Sequence, residues 1–266
     1  DAIDLAKNLS ELPRHPKHNT LENGKSAHFG RLRLFEDLTR FELWDELIAL
    51  AGTPYLAATD LDAEQVKHWR YLGTAYFRKG NVERGRAAIA ELESRLAREW
   101  KLPPGAALRP TPVASPSAED GKSVSPSEED KKRDARIRPL DLALDELYGH
   151  WAAARNESAV ALALLKRAGG VDPLYLAKLE WQSGQAEEAL KSARSAVKSR
   201  KNQVQPLAAL VDLLWQAGER KEATEQFETL RELAARADLE APALSRLAAA
   251  LVRGAAPRRR TTGLPP

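Results

Sequence analysis

Two residue types are missing from the chain. One absence excludes several kinds of bond and site, and the other bears on how the chain is produced. There is no cysteine, which excludes disulfide bonds, thiol catalysis and metal sites with cysteine ligands. There is no methionine, even at position 1, so we expect a processed chain or a piece of a longer one. No apolar run approaches the roughly 20 residues that cross a bilayer, and we therefore expect no transmembrane helix.

Charged residues are abundant but nearly balanced. Lysine and arginine number 41 against 38 for aspartate and glutamate, which gives a formal net charge of +3. Both signs are interleaved along most segments, which indicates solvated helix faces rather than a nucleic-acid footprint. With 43% hydrophobic and only 6% aromatic residues, the composition is typical of a soluble helical protein. It disfavours a nucleic-acid partner and leaves a cytoplasmic and an exported location both open.

Two stretches of the chain repeat at a spacing of 34 residues. The segment Trp181–Gly184 recurs as Trp215–Gly218, and Leu176 is matched by Leu210. This period, in helical sequence with a glycine after the first helix, resembles the tetratricopeptide repeat. The resemblance implies an α-solenoid of antiparallel helix pairs that presents a concave face to partners.

A third segment matches the same family pattern at five positions. They are the aromatic, leucine, glycine, aromatic and turn-glycine positions, held by Trp69, Leu72, Gly73, Tyr76 and Gly80. The sequence therefore predicts an all-α, TPR-like solenoid of about five hairpins. Its predicted parts are a half repeat over 1–20, hairpins over 21–102, a disordered Pro/Ser-rich linker over 103–137, hairpins and a capping helix over 138–254, and a disordered tail over 255–266.

The two least regular parts are the start of the chain and the linker. Apolar residues at positions 2, 5, 9 and 12 form one helical stripe, which resembles the second helix of a repeat. We expect its first helix to lie upstream. The segment 103–137 lacks apolar periodicity and is rich in proline and serine, which favours disorder. It either interrupts the repeat array or divides it into two.

Neither a metal site nor a nucleotide site is predicted. His15, His18 and His28 are imidazole ligands of the kind that zinc and copper favour. A proline between the first two disrupts helical spacing, so an exposed turn is the better interpretation. The segment Gly24–Ser26 looks like the end of a P-loop, but Asn19 stands where that motif needs glycine. No arrangement of nucleophile and base is present either, so we expect no catalytic residue and no cofactor.

The candidate binding site is aromatic. Three tryptophans come late in the first helices of predicted repeats, where the family's side chains approach the concave face. The resemblance implies an aromatic ladder able to anchor an extended peptide or a helix. Packing between repeats is the other interpretation, and the helical spacing favours it, because aromatic residues at that spacing lie in a core more often than in a site. The candidate residues are Trp151, Tyr175, Lys178, Trp181, Asp212 and Trp215.

One known ligand class of the family is not implied. Clamps for chaperone tails in such repeats use lysine and asparagine at fixed concave positions. Those positions hold Arg70 and Thr74 in one repeat, and Leu174 and Lys178 in another. A carboxylate ligand of the chaperone type is therefore not expected.

Three functions follow as hypotheses. The first is a non-catalytic scaffold that binds a protein or peptide in the groove of the repeats. The second is a helical accessory region of a larger, exported bacterial enzyme, because residues 30–47 resemble helical segments of large exported proteins with thioredoxin-like modules. The third is self-association through the apolar stripe at the N-terminal edge.

Overall fold

Helices and their connecting turns make up the whole of the described structure. It is a computed structural model that describes residues 2–13, 15, 17, 19–22, 25–101 and 127–235. Within these ranges there are eleven helices, packed as sequential hairpins, and no strand. The helices are α1 (Ala2–Glu11), α2 (Ser26–Arg40), α3 (Trp44–Leu50), α4 (Asp62–Arg78), α5 (Val82–Glu99), α6 (Glu128–Ala154), α7 (Ser158–Ala168), α8 (Pro173–Gln182), α9 (Ala186–Ser199), α10 (Val204–Ala217) and α11 (Arg220–Ala234).

The chain forms two compact units, unit 1 over Asp1–Val171 and unit 2 over Asp172–Pro266. Helices α1 to α7 belong to unit 1 and α8 to α11 to unit 2. Helix α6 packs against both α4 and α5, so the helices on either side of 102–126 share one unit. No described helix has both the length and the apolar character needed to cross a membrane.

Helix α6 starts earlier than the sequence predicts. It begins at Glu128, so residues 128–137, which the sequence assigns to the linker, are helical. Charged residues with good helix propensity fill this stretch, Ile137 is buried, and Arg136 pairs with Glu99 of α5 at 2.9 Å. Pro139 lies inside the helix and not at its start. The rest of the predicted linker, the capping helix near 242–252 and the tail over 255–266 lie outside the described residues.

Five alternate helices end in the same way. Each is followed by a residue with a positive φ angle, and the next N–H donates to a carbonyl five residues back. This is the Schellman arrangement, which satisfies carbonyls at the end of a helix. The helices are α2, α4, α6, α8 and α10, and their left-handed residues are Glu42, Gly80, Asn156, Gly184 and Gly218.

These left-handed residues define a common register for the helices before them. Seven residues earlier, α4 and α6 carry Gly73 and Gly149, where α8 and α10 carry Ala177 and Val211. A Cβ on Gly73 would lie 2.8 Å from the Leu147 side chain. The glycines therefore let helices of unit 1 approach more closely than a methyl group allows.

The first helix, interpreted above as half of a repeat, packs against the helix that follows it in the chain. Helix α1 packs against α2, where a Cβ on Gly30 would lie 2.7 Å from both the Ala6 carbonyl oxygen and the Ser10 nitrogen. The side chain of Asn19 accepts from the N–H of Ala27 at 2.9 Å, which satisfies one of the free donors at the start of α2. One face of α1 stays uncovered, since Leu5 is 62% exposed and Leu12 46% exposed.

Candidate functional site

In unit 2, two of the predicted tryptophans occupy equivalent places. Trp181 on α8 and Trp215 on α10 each precede a left-handed glycine by three residues. Both are half-buried and pack against one apolar cluster that includes Leu214. Trp215 also contacts Phe227 of α11, with the ring centroids 5.2 Å apart. The two indoles therefore combine a packed edge with a solvent-accessible one.

Polar candidates lie beside these tryptophans on the same two helices. Lys178 precedes Trp181 by three residues, and Asp212 precedes Trp215 by three, so each pair shares one side of its helix. Lys178 is exposed and Asp212 is half-buried. Tyr175, one turn before Lys178, is half-buried as well. Because α8 and α10 also contact each other, we call these five residues the α8–α10 face.

Trp151 does not share this register. It precedes its left-handed residue, Asn156, by five residues instead of three. Two residues turn a helix by roughly 200°, so the indole leaves α6 on a different side. It packs against the unit 1 cluster that contains Ile89 and Leu147. The structure thus brings Trp181 and Trp215 onto one cluster and places Trp151 in another.

Two arginines that the sequence analysis did not single out lie over Trp151. The guanidinium carbon of Arg86, on α5, is 5.3 Å from the indole centroid, and that of Arg155 is 4.5 Å from it. The Tyr148 ring lies 6.0 Å away, and its hydroxyl donates to Glu93. Such contacts between guanidinium groups and aromatic faces are favourable and fix the arginine conformation.

In unit 1, the residues at the positions of the chaperone-tail clamp contact other residues of the chain. Arg70 donates to Glu146 at 2.6 Å, and the Thr74 hydroxyl donates to the same carboxylate at 3.3 Å. Although burial opposes the charge of Arg70, Glu146 raises the pKa of that guanidinium. Since Thr74 and Glu146 are both buried, this set ties α4 to α6.

His150 is the most strongly perturbed titratable group described. Burial, together with the nearby charges of Arg78 and Arg70, lowers the pKa of its imidazole to about 3. The ring is therefore neutral at neutral pH. A base with so low a pKa is poorly matched to proton transfer near neutrality, so we assign His150 to the structure of unit 1.

The histidines near the start of the chain make local contacts. Nδ1 of His15 accepts from the N–H of Lys17 at 3.1 Å, and Nδ1 of His28 lies 2.8 Å from the Leu21 carbonyl oxygen. His18 and Gly24 lie outside the described residues. Across the part of the chain that the structure describes, no group of three or more His, Asp or Glu side chains could hold a metal ion.

Comparisons with known proteins add no family. No protein-family model, no curated protein and no solved structure matches the chain. The candidate sites therefore stand on their geometry.

The sequence missed the surroundings of Trp151 for a physical reason. Arg86 lies on α5 and Trp151 on α6, so only the packing of those helices brings them together. The contact between Arg155 and Trp151 could have been predicted from the sequence, because a residue four positions after a helical tryptophan lies beside it. The Glu146 contacts of Arg70 and Thr74 likewise depend on how α4 packs against α6.

Proposed function

We propose that the chain is a non-catalytic scaffold that binds a protein or peptide in the groove of a TPR-like helical repeat. The observation that carries the proposal is the α8–α10 face, where equivalent positions of two successive hairpins present Trp181 and Trp215. Part-exposed tryptophans with a packed edge are frequent anchors of protein interfaces, because they bury a large area at little cost in side-chain entropy.

The charges on this face suggest how a ligand would be oriented. Lys178 and Asp212 occupy equivalent places on α8 and α10 and carry opposite signs. A peptide that crosses both helices would meet a cation beside one indole and a carboxylate beside the other. Complementary charges on such a peptide would fix its direction more than its affinity.

The test is a selection of peptides from a displayed random library on the full chain. Selected peptides should bind the unchanged chain and lose about tenfold or more in affinity when Lys178→Glu reverses the exposed charge. Trp215→Phe should weaken the same peptides, because it shortens the aromatic surface while an apolar ring still packs on Phe227.

A matched control lies on α9 of the same unit. Lys191 is 78% exposed on α9, within 3.5 Å of Glu188, and Lys191→Glu makes the same charge change away from the α8–α10 face. It should leave the affinity within about twofold, since a remote surface charge is largely screened. Equal weakening by Lys178→Glu and Lys191→Glu would argue against a site on this face.

A second candidate function is self-association through the N-terminal edge. Its support is the uncovered face of α1, where Leu5 and Leu12 are exposed at 62% and 46%, since apolar patches mark association sites more often than chance. Sedimentation over a range of concentrations should show dimers that Leu5→Glu abolishes. A monomer at every concentration would remove this candidate.

A further inference from the structure

The second tryptophan environment, in unit 1, has the chemistry of a carboxylate-binding surface. We call Arg86, Trp151 and Arg155 the Trp151 cluster. We propose that the Trp151 cluster binds an acidic peptide segment of a partner protein, with carboxylates on the two guanidinium groups and the peptide's apolar part on the indole. This inference rests on the proposed scaffold function and names the chemistry of one partner.

The indole is a fixed platform. Trp151 is half-buried against a core that includes Ile89 and Leu147, both almost fully buried. Two guanidinium groups lie within 5.3 and 4.5 Å of its centroid. Contact with the ring restricts arginine side chains that would otherwise lose rotamer entropy on binding. The cluster is therefore partly organised before a ligand arrives.

Arg86 supplies the available charge. Its side chain is exposed on α5, and it forms no ion pair with any other part of the chain that the structure describes. A guanidinium group offers a planar fork of N–H donors that matches a carboxylate in two parallel hydrogen bonds. Because the indole contacts the guanidinium group, an incoming anion would bind at the edge of that group, which carries the N–H donors.

Arg155 supplies a second charge that a ligand can take over. Its Nη2 donates to Glu157 at 2.6 Å, and the two side chains are 47% and 43% exposed. Exposed ion pairs of this kind contribute little to stability, because water screens them. A peptide carboxylate can therefore replace Glu157 at small cost, and Glu157 itself shows that Arg155 binds a carboxylate in this place.

The acidic groups at the border of the cluster favour a peptide over a nucleic acid. Glu157 pairs with Arg155, and Glu93 accepts from the Tyr148 hydroxyl beside Trp151. A continuous phosphate backbone would meet these carboxylates, and repulsion would lower its affinity. A peptide can place its own carboxylates on the arginines and keep them away from both acids.

The experiment measures fluorescence anisotropy of a fluorescein-labelled Glu-Leu-Leu-Glu peptide, which carries two carboxylate side chains on either side of an apolar part, with the full chain at about 0.15 M salt. The double variant Arg86→Gln/Arg155→Gln should weaken binding by about tenfold or more, because it removes both charge-assisted contacts. Both residues are exposed, so circular dichroism should show an unchanged fold.

The matched control is Arg84, two residues before Arg86 on the same helix. It is exposed and its guanidinium carbon lies 5.5 Å from the Tyr76 ring centroid, so Arg84→Gln matches the single variant Arg86→Gln in charge and in aromatic contact. It should change the affinity by less than about twofold, since one charge outside the site is screened.

Three results would overturn the proposal. The first is no binding of the Glu-Leu-Leu-Glu peptide by the unchanged chain. The second is equal weakening by the double variant and by Arg84→Gln, and the third is tighter binding of a labelled oligothymidylate through the same arginines. Lys178→Glu separates this site from the α8–α10 face. Lys178→Glu should weaken the library peptides and leave binding of the Glu-Leu-Leu-Glu peptide unchanged. Binding of that peptide through Arg86 and Arg155, with no effect of Lys178→Glu on the library peptides, would remove the α8–α10 face and keep this inference; the opposite pattern would remove this inference and keep the α8–α10 face.

Discussion

The polar chemistry that supports the hairpins differs between the two units. In unit 1, Arg31 is 3% exposed, pairs with Glu64 at 2.9 Å and donates to backbone carbonyls between α3 and α4. In unit 2, Arg194 pairs with Glu222 at 2.7 Å, but its side chain is 42% exposed. The same kind of ion pair is therefore a core element in one unit and a surface feature in the other.

A second difference concerns aromatic residues. Unit 1 contains several arginines placed over aromatic rings, such as Arg31 over Phe35 and Arg78 over Trp44. The core of unit 2 consists of small and aliphatic residues such as Ala193 and Leu210, together with the edges of two tryptophans.

The largest effect should come from breaking the buried pair of unit 1. Arg31→Met removes the guanidinium group from the buried carboxylate of Glu64 and leaves the Tyr55 and Ala57 carbonyls without that donor, so the free energy of unfolding should fall by about 3–5 kcal/mol. Urea unfolding measures it. Arg33→Met, which removes an arginine that is 60% exposed beside Glu36, should cost no more than about 0.5 kcal/mol. Equal losses would mean that Arg31 is not a core element.

The second-largest effect should come from adding a methyl group where two helices of unit 1 pack closely. A Cβ on Gly149 would lie 2.6 Å from Cγ of Leu165, a fully buried side chain. Gly149→Ala should therefore lower the free energy of unfolding by about 2 kcal/mol, despite the better helix propensity of alanine. Gly52→Ala is the control, because nothing lies within 4 Å of its Cβ position. A stabilising Gly149→Ala would show that Leu165 can move aside.

The third effect is a pH dependence located in unit 1. The pKa of His150 is lowered to about 3 by burial and by Arg78 and Arg70, so below its ordinary pKa near 6.5 the unfolded chain binds a proton that the folded chain does not. Stability due to His150 is present above that pKa and decreases as the pH falls toward about 3, by up to about 1.4 kcal/mol per pH unit.

The measurement compares urea midpoints of the unchanged chain and of His150→Gln between about pH 6 and 4. Carboxylates titrate in both proteins, so the difference in slope reports on His150. The unchanged chain should lose stability more steeply on acidification than the variant. Parallel slopes would mean that His150 can accept a proton in the folded state.

The smallest effect concerns the left-handed residues that both units share. Gly218 has a φ angle of +79°, so Gly218→Ala should cost about 1 kcal/mol. Asn156 adopts +62° without being glycine, and Asn156→Gly should change stability by no more than about 0.5 kcal/mol, because asparagine tolerates this conformation. Thermal unfolding measures both. A large gain from Asn156→Gly would show that unit 1 holds strain at this turn.

The sequence predicted the helical class and part of the hairpin pattern. Gly80, Gly184 and Gly218 follow helices as expected, because glycine favours the left-handed conformation there. The sequence did not predict that Glu42 and Asn156 also adopt the left-handed conformation after their helices, since glutamate has no preference for it. The five helix ends therefore resemble one another more in backbone geometry than in sequence.

The sequence named the residues of the candidate site, but it did not show that Trp151 lies on a different side of its helix from Trp181 and Trp215. Trp181 and Trp215 are related by the repeat itself, and the structure places them on one cluster. Trp151 was grouped with them by its position late in a helix, and only the left-handed residue after α6 shows the two-residue offset. Its contacts with Arg86 depend on packing between α5 and α6, which no local pattern encodes.

A ¹⁵N-edited NMR titration of the full chain with a library-selected peptide, which follows the six indole N–H signals, tests whether the part-exposed tryptophans of the α8–α10 face contact the ligand. We expect the Trp181 and Trp215 indole signals to shift, while the signal of the Trp69 indole, whose nitrogen is buried in the core, stays in place. Bound peptide that leaves both Trp181 and Trp215 unshifted would contradict this expectation.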